Sequence, residues 1–217
     1  MVSSCVVLGC IGLAIAFPFQ HPHPDAPLSC AAFEGRTEEV RRLVAREGAA
    51  NALPDRWSAL MWAARAGQVD AMKALVDAGA DVNLHDQGPN GWTALLHAVH
   101  KDQQKAVSAL LGWGADPNAR SENGCTALML AAGQGEKEIV AILLHHGADP
   151  RARTTDGTNA LANAVANADP EIVDLLLKKA PDLKLSDNFQ GLLSLWVARI
   201  RGHGEIVAQL RRAGAIQ

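Results

Sequence analysis

The stretch Asn123-Gly124-Cys125-Thr126-Ala127-Leu128-Met129-Leu130-Ala131-Ala132-Gly133-Gln134-Gly135-Glu136-Lys137-Glu138-Ile139-Val140-Ala141-Ile142-Leu143-Leu144-His145-His146-Gly147-Ala148-Asp149 decides the fold. Thr126 is placed to cap a helix start, its hydroxyl taking an unpaired backbone N–H. Leu128, Ala131 and Ala132 give that helix a narrow apolar face. Gly135 breaks the chain. Glu138 opens a second helix, where negative charge suits the helix dipole. Ile139, Ile142 and Leu143 recur at helical spacing, and Gly147 ends the helix in a left-handed cap. His145 and His146 sit in the last turn. Adjacent helical positions diverge by about 100°, and no third ligand lies nearby, so a metal site is not expected there.

Working outward, this block repeats. Ala127-Leu128 is preceded by Ala59-Leu60 and Ala94-Leu95 and followed by Ala160-Leu161, at steps of 35, 33 and 33 residues. Gly-Ala-Asp closes three copies, at Gly79, Gly114 and Gly147. A fixed period of this size means a stacked array in which each unit covers its neighbour's apolar face. Degenerate units lie on both sides: Ala31-Ala32, Gly35 and Glu38 to Val44 before, and Leu195 to Ala198 and Glu205-Ile206-Val207 after. The count is about six helix pairs, with repeats at about 28–53, 54–86, 87–120, 121–153, 154–186 and 187–217.

The ordered motifs resemble the ankyrin repeat, D-x-x-G-x-T-P-L-H-x-A-A followed by G-H-x-E-I-V-x-L-L-L-x-x-G-A-D, over residues 28–217. The resemblance implies an all-α solenoid of helix pairs joined by short hairpin-like loops. It implies a non-enzymatic module that binds a protein or peptide along a concave groove. There are departures. The motif's Pro is Ala in four repeats, and its His is Met61, Leu96, Met129 and Ala162. The fourth repeat has Ala168 where the inter-helix Gly belongs and ends Ala180-Pro181-Asp182, so it is expected to be the least regular. In the last repeat Arg199, Arg201, Arg211 and Arg212 supply polarity.

Composition excludes several classes. Aromatics are 4% while the apolar fraction is 48%, which suits close packing of small side chains. A net charge of −3 carries no basic bias toward nucleic acid. The eight histidines join no Ser or Cys in a nucleophile motif, and no phosphate loop or H-E-x-x-H is present. No enzyme, cofactor or metal is therefore expected. Cys30 and Cys125 lie about three repeats apart, too far for a disulfide.

Residues 1–27 form a leader. Val6 to Phe17 is uncharged and apolar or glycine, Ala14-Ile15-Ala16 has the form of a signal-peptidase site, and a Pro/His linker follows. Export to the periplasm or beyond is the expectation. Lipidation at Cys10, a membrane anchor, and a start-site artefact in a cytoplasmic protein are the alternatives. The expected state is a monomer.

Within the implied groove, hairpin positions include Pro54, Asp55, Trp57, His85, Asn90, Trp92, Arg120, Glu122, Cys125, Arg153, Thr155, Thr158 and Phe189. First-helix positions include Arg65, His100, Lys101, Gln134 and Asn167. The partner-binding candidates are Trp57, Arg65, His85, Asn90, Trp92, His100, Lys101, Arg120, Glu122 and Arg153. Trp57 and Trp92 each precede the Ser or Thr that opens a first helix. Either they line the groove and hold an extended, partly acidic peptide, or they fold over hairpin backbone and seal the first two repeats. Trp62 and Trp196 lie within first helices, where packing is expected. Trp113 is placed on the convex side. The longer step of 35 marks an enlarged hairpin, Asp86 to Gly91, expected to project beside Trp92. An exported inhibitor, an immunity partner or a host-directed effector would use the same groove.

Overall fold

The computed structural model describes residues 21–23, 25–54, 56–185 and 189–216. The apolar run Val6 to Phe17 of the leader, the Cys10 alternative and Asp55 lie outside the described residues, while Pro27, placed in the leader, begins the first helix. Those described fall in two compact units, 21–122 and 123–216. The N-terminal unit holds α1 (Pro27–Phe33), α2 (Thr37–Glu47), α3 (Ala59–Ala66), α4 (Val69–Asp77), α5 (Ala94–His100) and α6 (Gln104–Gly112). The C-terminal unit holds α7 (Ala127–Gln134), α8 (Lys137–His145), α9 (Ala160–Asn167), α10 (Pro170–Lys179), α11 (Phe189–Ile200) and α12 (Gly204–Arg212). Each unit is a stack of three helix pairs. Odd-numbered helices pack on odd ones, α1 on α3 on α5 and α7 on α9 on α11, and each packs on its own even partner.

The local code behind each pair is short. Ser58, Thr93, Thr126 and Asn159 cap the inner helices, each side-chain oxygen accepting a backbone N–H three residues on. That replaces one bond the first turn cannot make internally. The pairs interlock through the loops after the second helices. Asn51 donates to Gly79 O (3.2 Å) and accepts from the Asp81 N–H (2.7 Å). Asn83 repeats the clasp on Gly114 O (3.2 Å) and the Asp116 N–H (2.8 Å). The C-terminal unit replaces it with an ion pair, Arg151 to Asp182, Nε to Oδ2 at 2.9 Å.

A left-handed residue separates the two helices of a pair: Gly67 at φ 74°, Asp102 at 54°, Gly135 at 81° and Ala168 at 62°. The fourth repeat is therefore not irregular at this point, contrary to expectation. Packing of α9 and α10 holds Ala168 in the same conformation as the glycines, with the strain an L-residue carries there. The irregularity comes later. Phe189, expected in a hairpin, begins α11, which runs 12 residues against 7 or 8 for the other odd-numbered helices. Trp196 on α11, expected to be packed, is 59% exposed. No described element covers that face. Cys30 is half-buried and Cys125 is buried. No described helix is long and apolar enough to cross a membrane.

Ala168→Gly should raise stability by about 1 kcal/mol by removing the left-handed strain. Gly67→Ala should lower it by at least as much, because its Cβ also meets the Gln103 side chain. Urea midpoints at constant slope read both changes, and an unchanged midpoint for Ala168→Gly would contradict the strain assigned to that residue.

Candidate functional site

All but one of the candidate residues fall in the N-terminal unit. Arg153 lies in the C-terminal unit, where its guanidinium donates to Gly157 O at 3.2 Å. The other nine sort into a buried aromatic layer, a pinned hairpin and a basic cluster.

The aromatic layer decides between the two readings of the indoles. Trp57 is 6% exposed and Trp92 is 1% exposed, so neither lines a groove. The cause is local. Each sits one residue before an N-cap, where a hydrophobic side chain staples onto the fourth residue of the helix. For Ser58 that residue is Trp62, and the two rings lie 4.4 Å apart. For Thr93 it is His97, 5.3 Å from Trp92. Cys125 and Thr158 hold the same position in the C-terminal unit and are buried too. The contacts run on, His21 to Phe33 (5.1 Å), Phe33 to Trp62 (5.9 Å), Trp57 to His97 (4.0 Å) and Trp92 to His100 (5.3 Å). One run of rings thus threads the three pairs of this unit.

His97 and Asp86 are the residues that sequence reasoning missed. Both are buried, and His97 Nε2 donates to Asp86 Oδ2 at 2.9 Å. Burial pushes the imidazole below its usual value, although the Asp86 hydrogen bond and charge pull the other way. It is therefore a neutral ring hydrogen-bonded to a carboxylate, and its Nδ1 has no hydrogen-bond partner among the described residues. The pair has the composition of a general-base dyad. Both members are buried, with the Trp57 and Trp92 rings against the imidazole.

The enlarged hairpin is organised by the same carboxylate. Asp86 Oδ1 accepts the Gly88 N–H at 2.9 Å, and its own N–H donates to Trp92 O at 2.8 Å. Gln87 N–H donates to Arg56 O, and Glu122 N–H to Asn90 O, both at 2.9 Å. His85 Nδ1 donates to Gly91 O at 2.8 Å, beside a lone antiparallel bridge to Thr93. The expectation of a free projection is corrected to this extent: the insertion turns inward at Asp86 and is tied at both ends. His85, Gln87, Pro89, Arg120 and Glu122 remain exposed, and Asn90 is half-buried.

The basic cluster lies where α3 and α5 end. Arg65 is 8% exposed, with its guanidinium 5.5 Å over the Trp57 ring. No ion pair to it exists among the described residues. Burial holds its pKa below the ordinary value. His100 is pushed down to about 4 by burial, then by the charges of Arg65, Lys101 and His97. Lys101, exposed, is lowered by burial and by Arg65. Each charge raises the cost of its neighbours. Among the described residues no group of three or more His, Cys, Asp or Glu is placed to hold a metal ion.

Repeated capped helix pairs, left-handed inter-helix residues and side-chain clasps define a helical repeat protein. The family model for ankyrin repeats in three copies matches residues 10–86 and 81–154, and the chain belongs to that family. No curated protein matches it. Ankyrin repeats are generally protein–protein interaction modules and are typically not enzymes.

Two outcomes follow. Asp86→Ala should destabilise the protein by about 2 kcal/mol, the scale of a lost charged hydrogen bond in the interior, as read by urea unfolding. The second concerns pH. His97 and His100 have folded-state pKa values below the ordinary 6.5, so the unfolded chain takes their protons first. Their contribution is complete above about 6.5. It falls as pH drops, and that of His100 is gone below about 4. His100→Gln should flatten the stability profile between those limits, and a profile unchanged by the substitution would remove His100 from this account.

Proposed function

We propose that this chain is a non-enzymatic interaction module whose N-terminal unit takes an acidic segment of a partner protein at Arg65, His100 and Lys101. The observation that carries the reading is the gathering of a buried guanidinium, Arg65, and an exposed ammonium, Lys101, beside the His100 ring at the ends of α3 and α5. Among the described residues no carboxylate pairs with Arg65 on the Trp57 face, and its charge adds to burial in lowering both neighbours. A bound carboxylate would oppose the part of those shifts that comes from charge and gain charge-assisted hydrogen bonds to a guanidinium already fixed in place. The indoles serve underneath: Trp57 orients Arg65, and Trp92 packs against His100. Exposed His85, Arg120 and Glu122 and half-buried Asn90 supply polar contacts at the rim, where they govern selectivity more than affinity. Arg153 plays no part in this cluster.

The uncharged run Val6 to Phe17 supports export as the route to that partner. An inhibitor, immunity protein or effector would use the same surface.

Affinity capture with the full chain tests the reading. Arg65→Glu combined with Lys101→Glu should lose the partners that the unaltered chain retains, and added salt should weaken the unaltered interaction. Trp57→Phe should keep them with a lower melting temperature. A folded double variant that retains every partner would overturn the proposal. N-terminal sequencing after fractionation reads export independently, and a retained leader in the cytosol would contradict it.

A further inference from the structure

Leu192, Trp196 and Ile200 are the exposed large hydrophobic residues among those described, at 49%, 59% and 64%. They are spaced i, i+4, i+8 on α11 and so form one stripe along one helix face, about 12 Å long. Isolated exposed apolar residues need no explanation, but three in register do.

The repeat shows what kind of object covers such a face. Trp196 occupies the position held by Met61, Leu96, Met129 and Ala162 in the earlier repeats, all of them buried. Within each unit that position belongs to a helix on which another helix lies, as α5 does on α3 and α9 on α7. Leu192 holds the stapling position of Trp57, Trp92, Cys125 and Thr158. Here the chain is already helical, so the side chain stays outside. The face is therefore of the kind that a helix packs on.

The neighbouring positions say what charge that helix carries. Arg199 stands where Ala64, Val99, Ala132 and Val165 are buried, and Arg211 stands where Leu111, Leu144 and Leu177 are buried. Both arginines line a groove of about 270 Å³ between α11 and α12, floored by Ala198, Gly202, Val207 and Ala208. Across 189–216 four arginines face one glutamate, Glu205. A further repeat of this chain's own kind would bring small apolar side chains against two guanidinium groups. A second copy would bring arginine against arginine. A concave groove beside a ridge suits a helix better than a flat lipid surface.

We infer that the α11–α12 face docks an acidic amphipathic helix of a partner protein, with Leu192, Trp196 and Ile200 meeting its apolar stripe and Arg199 and Arg211 meeting its carboxylates. This surface belongs to the C-terminal unit and the basic cluster at Arg65 to the N-terminal unit, and neither inference depends on the other.

The probe is a synthetic helical peptide of about 16 residues with leucines along one face and glutamates beside them, and a twin with lysines in place of the glutamates. Trp57, Trp62 and Trp92 are buried and Trp113 is half-buried, so Trp113→Phe in the background assigns the emission change to Trp196. The acidic peptide should shift the emission of the full chain to the blue, and the lysine twin should not. Trp196→Ala should weaken binding, read by calorimetry, at least tenfold. Arg199→Glu with Arg211→Glu should invert the preference between the peptides. Arg65→Glu with Lys101→Glu should leave this binding unchanged, which separates it from the groove. Circular dichroism melts confirm that each variant is folded. Equal binding of both peptides, or acidic binding that survives Trp196→Ala, would overturn the proposal. So would Trp196-dependent binding to phosphatidylserine vesicles in place of the peptide, or Trp196-dependent dimers in sedimentation.

Discussion

No helix pair in this protein can hide its own apolar face, and the rest of the structure depends on that constraint. A first helix of seven or eight residues is too short to be stable alone. It persists because at least one odd-numbered neighbour in its unit lies against it and its own even-numbered helix lies behind. Alanine at the contact positions lets backbones approach closely. The left-handed residue between the helices must then recur at one place in every pair. It does so even where the residue is Ala168 or Asp102, because the packing holds the conformation against its local cost.

The same constraint makes the pre-cap position interior. The side chain one residue before the cap is buried at Trp57, Trp92, Cys125 and Thr158. In the N-terminal unit the two indoles there enclose His97, which in turn fixes Asp86 and the enlarged hairpin. Arg65 rests on the outer face of that layer. A buried histidine–carboxylate pair thus supports the layer on which Arg65 rests.

The fold was readable in the sequence because its determinants are local. Caps at Ser58, Thr93 and Thr126 lie within a few residues of the elements they govern, and so do the glycine breaks and the Gly-Ala-Asp closures. The placement of Trp57 and Trp92 was half readable. An aromatic before the cap paired with Trp62 or His97 at the fourth helical position is the signature of a staple, and it argued for burial. The Asp86–His97 bond was not readable. It spans 11 residues and a loop whose length shows only that something differs. The exposure of Trp196 could not be read from its own repeat either, since that position is interior in every earlier copy and exposure depends on what lies beyond.

Oxidative footprinting of tryptophan in the folded full-length chain, resolved by mass spectrometry, tests this arrangement most directly. Trp196 should be modified rapidly, while Trp57, Trp62 and Trp92 should be protected until the chain unfolds. Modification of Trp57 or Trp92 as fast as Trp196 would contradict a surface of charge laid over a sealed aromatic layer, and would return the indoles to the groove.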